Sequence, residues 1–113
     1  MKNNTINYIE MYTTDMDIVK TFYWTVFDWE FVDYWSSYAA FSNSGIEWGF
    51  ELVDTVISGW PLIILIHDDL DFIQERIIQS WGKIVIDTFE FPGGKRFEFT
   101  DPVGNKLAVW NKL

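Results

Sequence analysis

A chain of 113 residues, 49% hydrophobic and 19% aromatic, is about the size of one domain and too apolar to stay disordered. Its 17 acidic residues against 8 basic ones leave a net charge of −9, which disfavours phosphate backbones and anionic membrane surfaces as partners and attracts cations. With no cysteine there is no disulfide framework, thiolate nucleophile or zinc–thiolate site.

In chain order, Met1 to Thr5 lack the apolar stretch of a secretory signal, so cytoplasmic residence is the expectation. Residues 6 to 13 read as a strand. Thr14, with Asp17 three positions on, resembles a capping pair for a helix in which Ile18, Val19, Phe22, Tyr23, Val26 and Phe27 form one apolar stripe, ending near Asp28. Three short strands follow as an antiparallel meander: Trp29 to Trp35, Tyr38 to Ser42 and Ile46 to Leu52. In the last, Ile46, Trp48, Phe50 and Leu52 alternate with Glu47, Gly49 and Glu51.

Val53 to Trp60, with the turn-forming Ser58-Gly59 before Pro61, connects this unit to a second one. Leu62 to Ile66 is again a strand, and far too short an apolar run to span a bilayer. Asp68 or Asp69 caps a helix running to about Ser80, and Gly82 fits the left-handed closing position. Lys83 to Asp87, Arg96 to Thr100 and Lys106 to Asn111 are three more strands, joined by turns at Pro92-Gly93-Gly94 and Asp101 to Asn105.

The two units match at an offset of 54 residues: Ile9 falls on Ile63, Ile18 on Phe72, Val19 on Ile73, Tyr23 on Ile77 and Phe27 on Trp81. The expectation is one α+β domain over 4–113, built from tandem βαβββ modules at 4–52 and 61–113. Their sheets form a curved mixed sheet, a cup or half-barrel, with the helices outside. Most of the 7 Trp, 5 Tyr and 10 Phe are expected to fill the core or a homodimer interface, and a minority to line a site.

Three stretches resemble the glyoxalase, bleomycin-resistance and extradiol dioxygenase group, the vicinal oxygen chelate superfamily. They are Ile9 to Asp17 leading into Thr21-Phe22-Tyr23, then Asp68-Asp69-Leu70-Asp71, and the closing Phe99 to Asn105 with its Asp-Pro-x-Gly-Asn pattern. Asp28 stands where relatives often have Gly. Metal-using members of that group take one ligand, His, Gln or Glu, from each of four strands. The resemblance places those positions at Tyr8, Glu51, Leu62 and Ala108, of which Glu51 alone is an ordinary ligand. It therefore implies no metal and no other cofactor, with a divalent ion kept as the alternative.

If those four positions mark the cup-facing phase, alternation adds Glu10, Tyr12, Glu47, Gly49, Ile64, Ile66, Lys106 and Trp110. Glu98 joins them if the Asp101 to Asn105 turn sets it across from Ala108. Buried carboxylates in such a lining have to be solvated, protonated, or paired with Lys106 or Arg96. His67 falls opposite the phase of Leu62, Ile64 and Ile66 and beside a helix cap, so it reads as structural or exposed. An acidic, aromatic lining suits a cationic or aromatic small molecule, and the resemblance implies a metal-independent binding or sequestering protein. The alternative is a lyase, isomerase or dioxygenase using Glu51, Glu10 or Glu98 as base or as part of an irregular metal site.

Overall fold

The computed structural model describes residues 3–4, 6–57 and 59–113; Ser58 of the expected turn and Met1, Lys2 and Thr5 of the N-terminal stretch lie outside the described residues. The chain divides into two compact units between Thr55 and Val56. Each is a βαβββ module with one four-stranded mixed sheet.

The first module holds β1 (Tyr8–Thr13), α1 (Met16–Phe27), β2 (Glu30–Trp35), β3 (Tyr38–Ser42) and β4 (Glu47–Leu52) in sheet order β1-β4-β3-β2. The last strand inserts beside the first, parallel to it, while β2, β3 and β4 form the expected antiparallel meander. Trp48 and Phe50 are buried, whereas Ile46 and Leu52, which share their phase, are 40% and 41% exposed at the two ends of the strand. The core of this module is a stack of rings. Tyr23 lies 4.9 Å from Trp29 with planes 4° apart, and Trp29, Phe41 and Trp48 continue the pile at 4.7–5.2 Å. Offset ring packing of this kind adds about 0.5–1.5 kcal/mol per pair to the area buried.

The second module repeats the order with β5 (Ile63–Ile66), α2 (Leu70–Gln79), β6 (Lys83–Phe91), β7 (Gly94–Thr100) and β8 (Lys106–Lys112), arranged β5-β8-β7-β6. Its buried set is aliphatic and phenylalanine: Leu70, Ile73, Ile77, Phe97, Phe99, Leu107 and Val109. Strand β6 runs four residues beyond the expected Asp87, because Thr88 to Phe91 are mostly β-favouring and two register shifts absorb the extra length. The hairpin to β8 is closed by Asp101, whose carboxylate accepts from the backbone N–H of Val103 and Asn105 and from the Asn105 amide at 2.9–3.1 Å. The motif that resembles the superfamily most specifically is therefore a self-satisfied turn anchored on buried Asp101 and Asn105.

Both helices start on an aspartate 54 positions apart, Asp15 accepting from Ile18 N–H at 3.1 Å and Asp69 from Phe72 N–H at 3.0 Å. The first cap is thus Asp15 and not the expected Thr14. A carboxylate is the stronger acceptor at a helix N-terminus, and the Thr13 hydroxyl already brackets Asp15 by accepting from its N–H and donating to its carbonyl. His67, 54 positions after Thr13, repeats that bracket: its Nδ1 accepts from Asp69 N–H at 2.9 Å. The only histidine of the chain is a cap-stabilising residue.

The helix ends differ. Asp28 closes α1 in the left-handed region at φ 60°, a conformation its short polar side chain tolerates. In α2 that position belongs to Trp81 at φ 75°, not to the expected Gly82. Helix α2 has 10 residues against 12 in α1, so its closure arrives one position early in the repeat; Trp81 N–H bonds Ile78 and Gly82 N–H bonds Ile77 at 3.2 and 2.9 Å. A bulky residue is strained there, and Trp81 is 83% exposed. Urea denaturation should find Trp81→Gly more stable by about 0.5–1 kcal/mol, with Asp28→Gly nearly neutral.

Candidate functional site

Strand β4 is central in its sheet, so its alternation is fixed on both edges. The residues facing away from Trp48 and Phe50 are Glu47, Gly49 and Glu51, paired with Tyr8, Glu10 and Tyr12 on β1. On the other edge Glu51 pairs with Tyr38 and Gly49 with Ala40. One face of the first sheet therefore gathers Tyr8, Glu10, Tyr12, Glu47 and Glu51 as the alternation predicts, and adds Tyr38.

Tyr38 was not among the residues singled out from sequence. The register of the β3–β4 hairpin gives it this phase, and the same pairing argument that located Glu98 could have found it. Its hydroxyl meets the Tyr8 hydroxyl at 2.5 Å, directly over Gly49. A Cβ on Gly49 would fall on both phenol groups, 2.8 Å from Tyr38 Cζ even at the third nearest atom. Gly49 is thus the opening that lets two rings from opposite strands meet above the strand between them. Tyr38 also hydrogen-bonds Glu10, and burial together with these two contacts pushes its phenol well above the usual range, so it stays protonated. Among the described residues no ion pair engages Glu10, Glu47 or Glu51.

In the second module, alternation puts Ile64, Ile66, Arg96, Glu98, Lys106, Ala108 and Trp110 in one phase. Leu62 precedes β5. Glu98 does pair with Ala108 across the β7–β8 hairpin, and it is only 5% exposed. Of the three ways a buried carboxylate can be accommodated, the structure uses pairing: Lys106 Nζ lies 2.9 Å from one oxygen and Arg96 Nη2 3.1 Å from the other. The Lys106 hydrogen bond and both positive charges outweigh burial and hold Glu98 below the usual carboxylate range. Arg96 also sits 5.4 Å over the Phe89 ring, and Trp110 lies beside Phe91.

The charge of the chain is uneven as a result. Residues 1–55 carry nine acidic and two basic side chains, a net −7, and residues 56–113 carry eight and six, a net −2. Two depressions lie on the first module, the first reaching Glu47 at the edge of that face. One of about 390 Å³ is bounded by the β3–β4 loop, and one of about 580 Å³ by Lys20, Trp24 and Phe31.

The glyoxalase/bleomycin resistance protein/dioxygenase superfamily model matches residues 5–109. The chain belongs to that superfamily. It is 24% identical, over 96% of its length, to a putative glyoxylase of Mycobacterium bovis, and equally to the one of Mycobacterium tuberculosis. The alignments cover 46% of those proteins, so the chain spans about half the length of the curated relatives it matches. Among solved structures, a superfamily enzyme from Burkholderia phytofirmans has a TM-score of 0.83 at 16% identity, covering 96% of this chain and 98% of that one. A fosfomycin resistance protein from Listeria monocytogenes, solved with Mn(II) and a dihydroxypropylphosphonic acid, scores 0.80 at 16% identity, covering 96% and 90%. At such identities the likeness is one of fold.

The four-donor ion site of metal-using relatives does not fit the side chains at the corresponding positions. The Tyr8 hydroxyl is engaged with Tyr38, Leu62 and Ala108 are hydrocarbon, and Glu51 remains as a single carboxylate. Glu98, beside Ala108, has an oxygen committed to each of two cations. Among the described residues no three carboxylate or imidazole side chains converge.

Two measurements check this geometry. Gly49→Ala should separate the two tyrosines and cost about 1–3 kcal/mol in chemical denaturation, with a change in the tyrosine near-ultraviolet circular dichroism. Because the Glu98 pKa is lowered in the folded state, its ion pairs stabilise the fold fully above the ordinary carboxylate pKa, and that contribution fades as pH falls through the lowered value. Glu98→Gln should cost about 1–3 kcal/mol at neutral pH and flatten the loss of stability on acidification below about pH 4.

Proposed function

We propose that the chain is a small-molecule-binding member of its superfamily that holds a cationic or aromatic ligand without a metal ion. The observation that carries this reading is the open face of the first sheet, where Glu10, Glu47 and Glu51, in no ion pair among the described residues, stand among Tyr8, Tyr12 and Tyr38. Carboxylates attract an organic cation over distance, and aromatic faces hold it by cation–π and stacking contact worth about 0.5–2 kcal/mol each. The net −7 of residues 1–55 supports the same sign of ligand. Two of the four inherited ligand positions carry side chains that cannot coordinate at any pH, which supports metal independence.

The enzymatic alternative, a lyase, isomerase or dioxygenase, loses one of its candidate bases. A carboxylate held ionised by two cations and below its usual pKa is a poor proton acceptor, which removes Glu98 and leaves Glu10 and Glu51. A homodimer accords with the exposed Trp24, Tyr34, Trp35 and Trp60.

Thermal-shift measurements with manganese, nickel, zinc and ferrous ions should show no stabilisation, and the purified protein no stoichiometric metal. Acridine orange, a flat organic cation, should quench tryptophan fluorescence saturably, with affinity falling about three- to tenfold in Glu51→Gln and on raising salt. Stabilisation by one equivalent of metal, or binding indifferent to Glu51 and to salt, would reverse this assignment.

A further inference from the structure

The depression of about 580 Å³ on the first module shares no residue with the open sheet face. It is built within residues 20–31, where the left-handed Asp28 turns the chain from α1 back into β2 and brings Glu30 and Phe31 beside Lys20, Thr21 and Trp24. On α1 the apolar stripe of Val19, Phe22, Tyr23 and Val26 is buried, whereas Trp24 keeps 57% of its surface exposed. The charges around the depression do not cancel. Both oxygens of Asp33 hold the Lys20 ammonium, at 2.8 and 2.9 Å, so the cation of the lining is matched by its own neighbour. Glu30 is exposed and accepts a long 3.4 Å contact from the Asn43 amide; among the described residues no ion pair engages it or Asp28. Both carboxylates stand at the negative end of α1, whose last turn carries no basic residue, whereas the last turn of α2 holds Arg76. The second module has no such combination: 54 positions after Trp24, Glu30 and Phe31 come Ile78, Ile84 and Val85. A bare indole, a carboxylate and an unmatched helix end are therefore no requirement of the βαβββ module.

We propose that this corner between α1 and β2 is a second binding site, for a small organic cation with a flat body, stacked on Trp24 and paired to Glu30. Its volume lies within the roughly 300–1,000 Å³ of small-molecule sites. The indole face attracts positive charge and packs a flat body, Phe31 supplies a second apolar wall, and Glu30 accepts a charge-assisted hydrogen bond from an N–H of the ligand. The helix end adds a fixed negative field at the same place. A hard metal ion is a poor occupant, because it needs several oxygen donors and the lining offers one carboxylate among hydrocarbon walls. The site is local to the helix–turn–strand corner. It requires nothing from Glu47 and Glu51, so it stands or falls apart from the assignment of the sheet face.

The test follows the Trp24 indole N–H resonance, assigned by its absence in Trp24→Phe, in two-dimensional NMR spectra during titration with benzamidinium. The resonance should shift saturably, with neutral benzamide binding about tenfold more weakly and the anion benzoate giving no shift. Glu30→Gln, a change on an exposed side chain, should weaken benzamidinium about three- to tenfold. Thr21→Lys, which tethers an ammonium to the same wall, should abolish the shift. Glu51→Gln should leave it unchanged. Signal dispersion in the same spectra verifies that each variant is folded. Benzamide matching benzamidinium, or indifference to Glu30→Gln, overturns the cation assignment. Loss of the Trp24 shift in Glu51→Gln places the binding on the sheet face and overturns the second site. Absence of any Trp24 shift at about 10 mM benzamidinium overturns the second site outright and leaves the reading of the sheet face standing.

Discussion

Everything on the open face of the first sheet depends on β4 being held from both sides. Its parallel pairing to β1 and antiparallel pairing to β3 leave it no freedom to slip. A shift by one residue would put Glu47 and Glu51 into the ring stack around Tyr23 and expel Trp48 and Phe50. The cost of burying two unpaired carboxylates is what keeps Gly49 facing outward, and with it the space in which Tyr8 and Tyr38 meet. Local backbone pairing thus decides which functional groups share a surface.

The two modules show how far one fold can diverge in chemistry. Their topologies, capping aspartates and brackets at Thr13 and His67 coincide. Their cores do not, one being built of stacked aromatic rings and the other of aliphatic side chains with two phenylalanines. The equivalent sheet phases also differ in charge. The first carries three carboxylates outside any described ion pair, and the second carries one glutamate between an arginine and a lysine. Membership of the glyoxalase/bleomycin resistance protein/dioxygenase superfamily is set by what the modules share, and any ligand preference has to come from where they differ.

Strand alternation and the repeat offset made the module order, the sheet phase of Glu10, Glu47 and Glu51 and the Glu98–Ala108 pairing legible in the sequence, because each depends on spacing alone. What was not legible depended on side-chain geometry. Thr14 and Asp15 are both good caps, and only the bracket from Thr13 selects the aspartate. Gly82 was the reasonable closing residue for α2, yet a helix two residues shorter than α1 transfers the left-handed position to a tryptophan. Tyr38 is not legible because its position requires two register steps, from β1 to β4 and from β4 to β3, before it meets Tyr8. The partnering of Glu98 was one of three open possibilities until the positions of Lys106 and Arg96 selected it.

The division of aromatic residues between the halves also gives the protein an internal spectroscopic label. The wholly buried indoles, Trp29 and Trp48, both belong to the first module, whereas Trp60 and Trp81 of the second are 88% and 83% exposed. A blue-shifted emission component and its loss on denaturation therefore report chiefly on the first half of the duplication, with partly buried Trp110 as the contribution of the second, while far-ultraviolet dichroism reports on both. Comparing the two signals reveals whether the repeats melt as a single cooperative body or in succession.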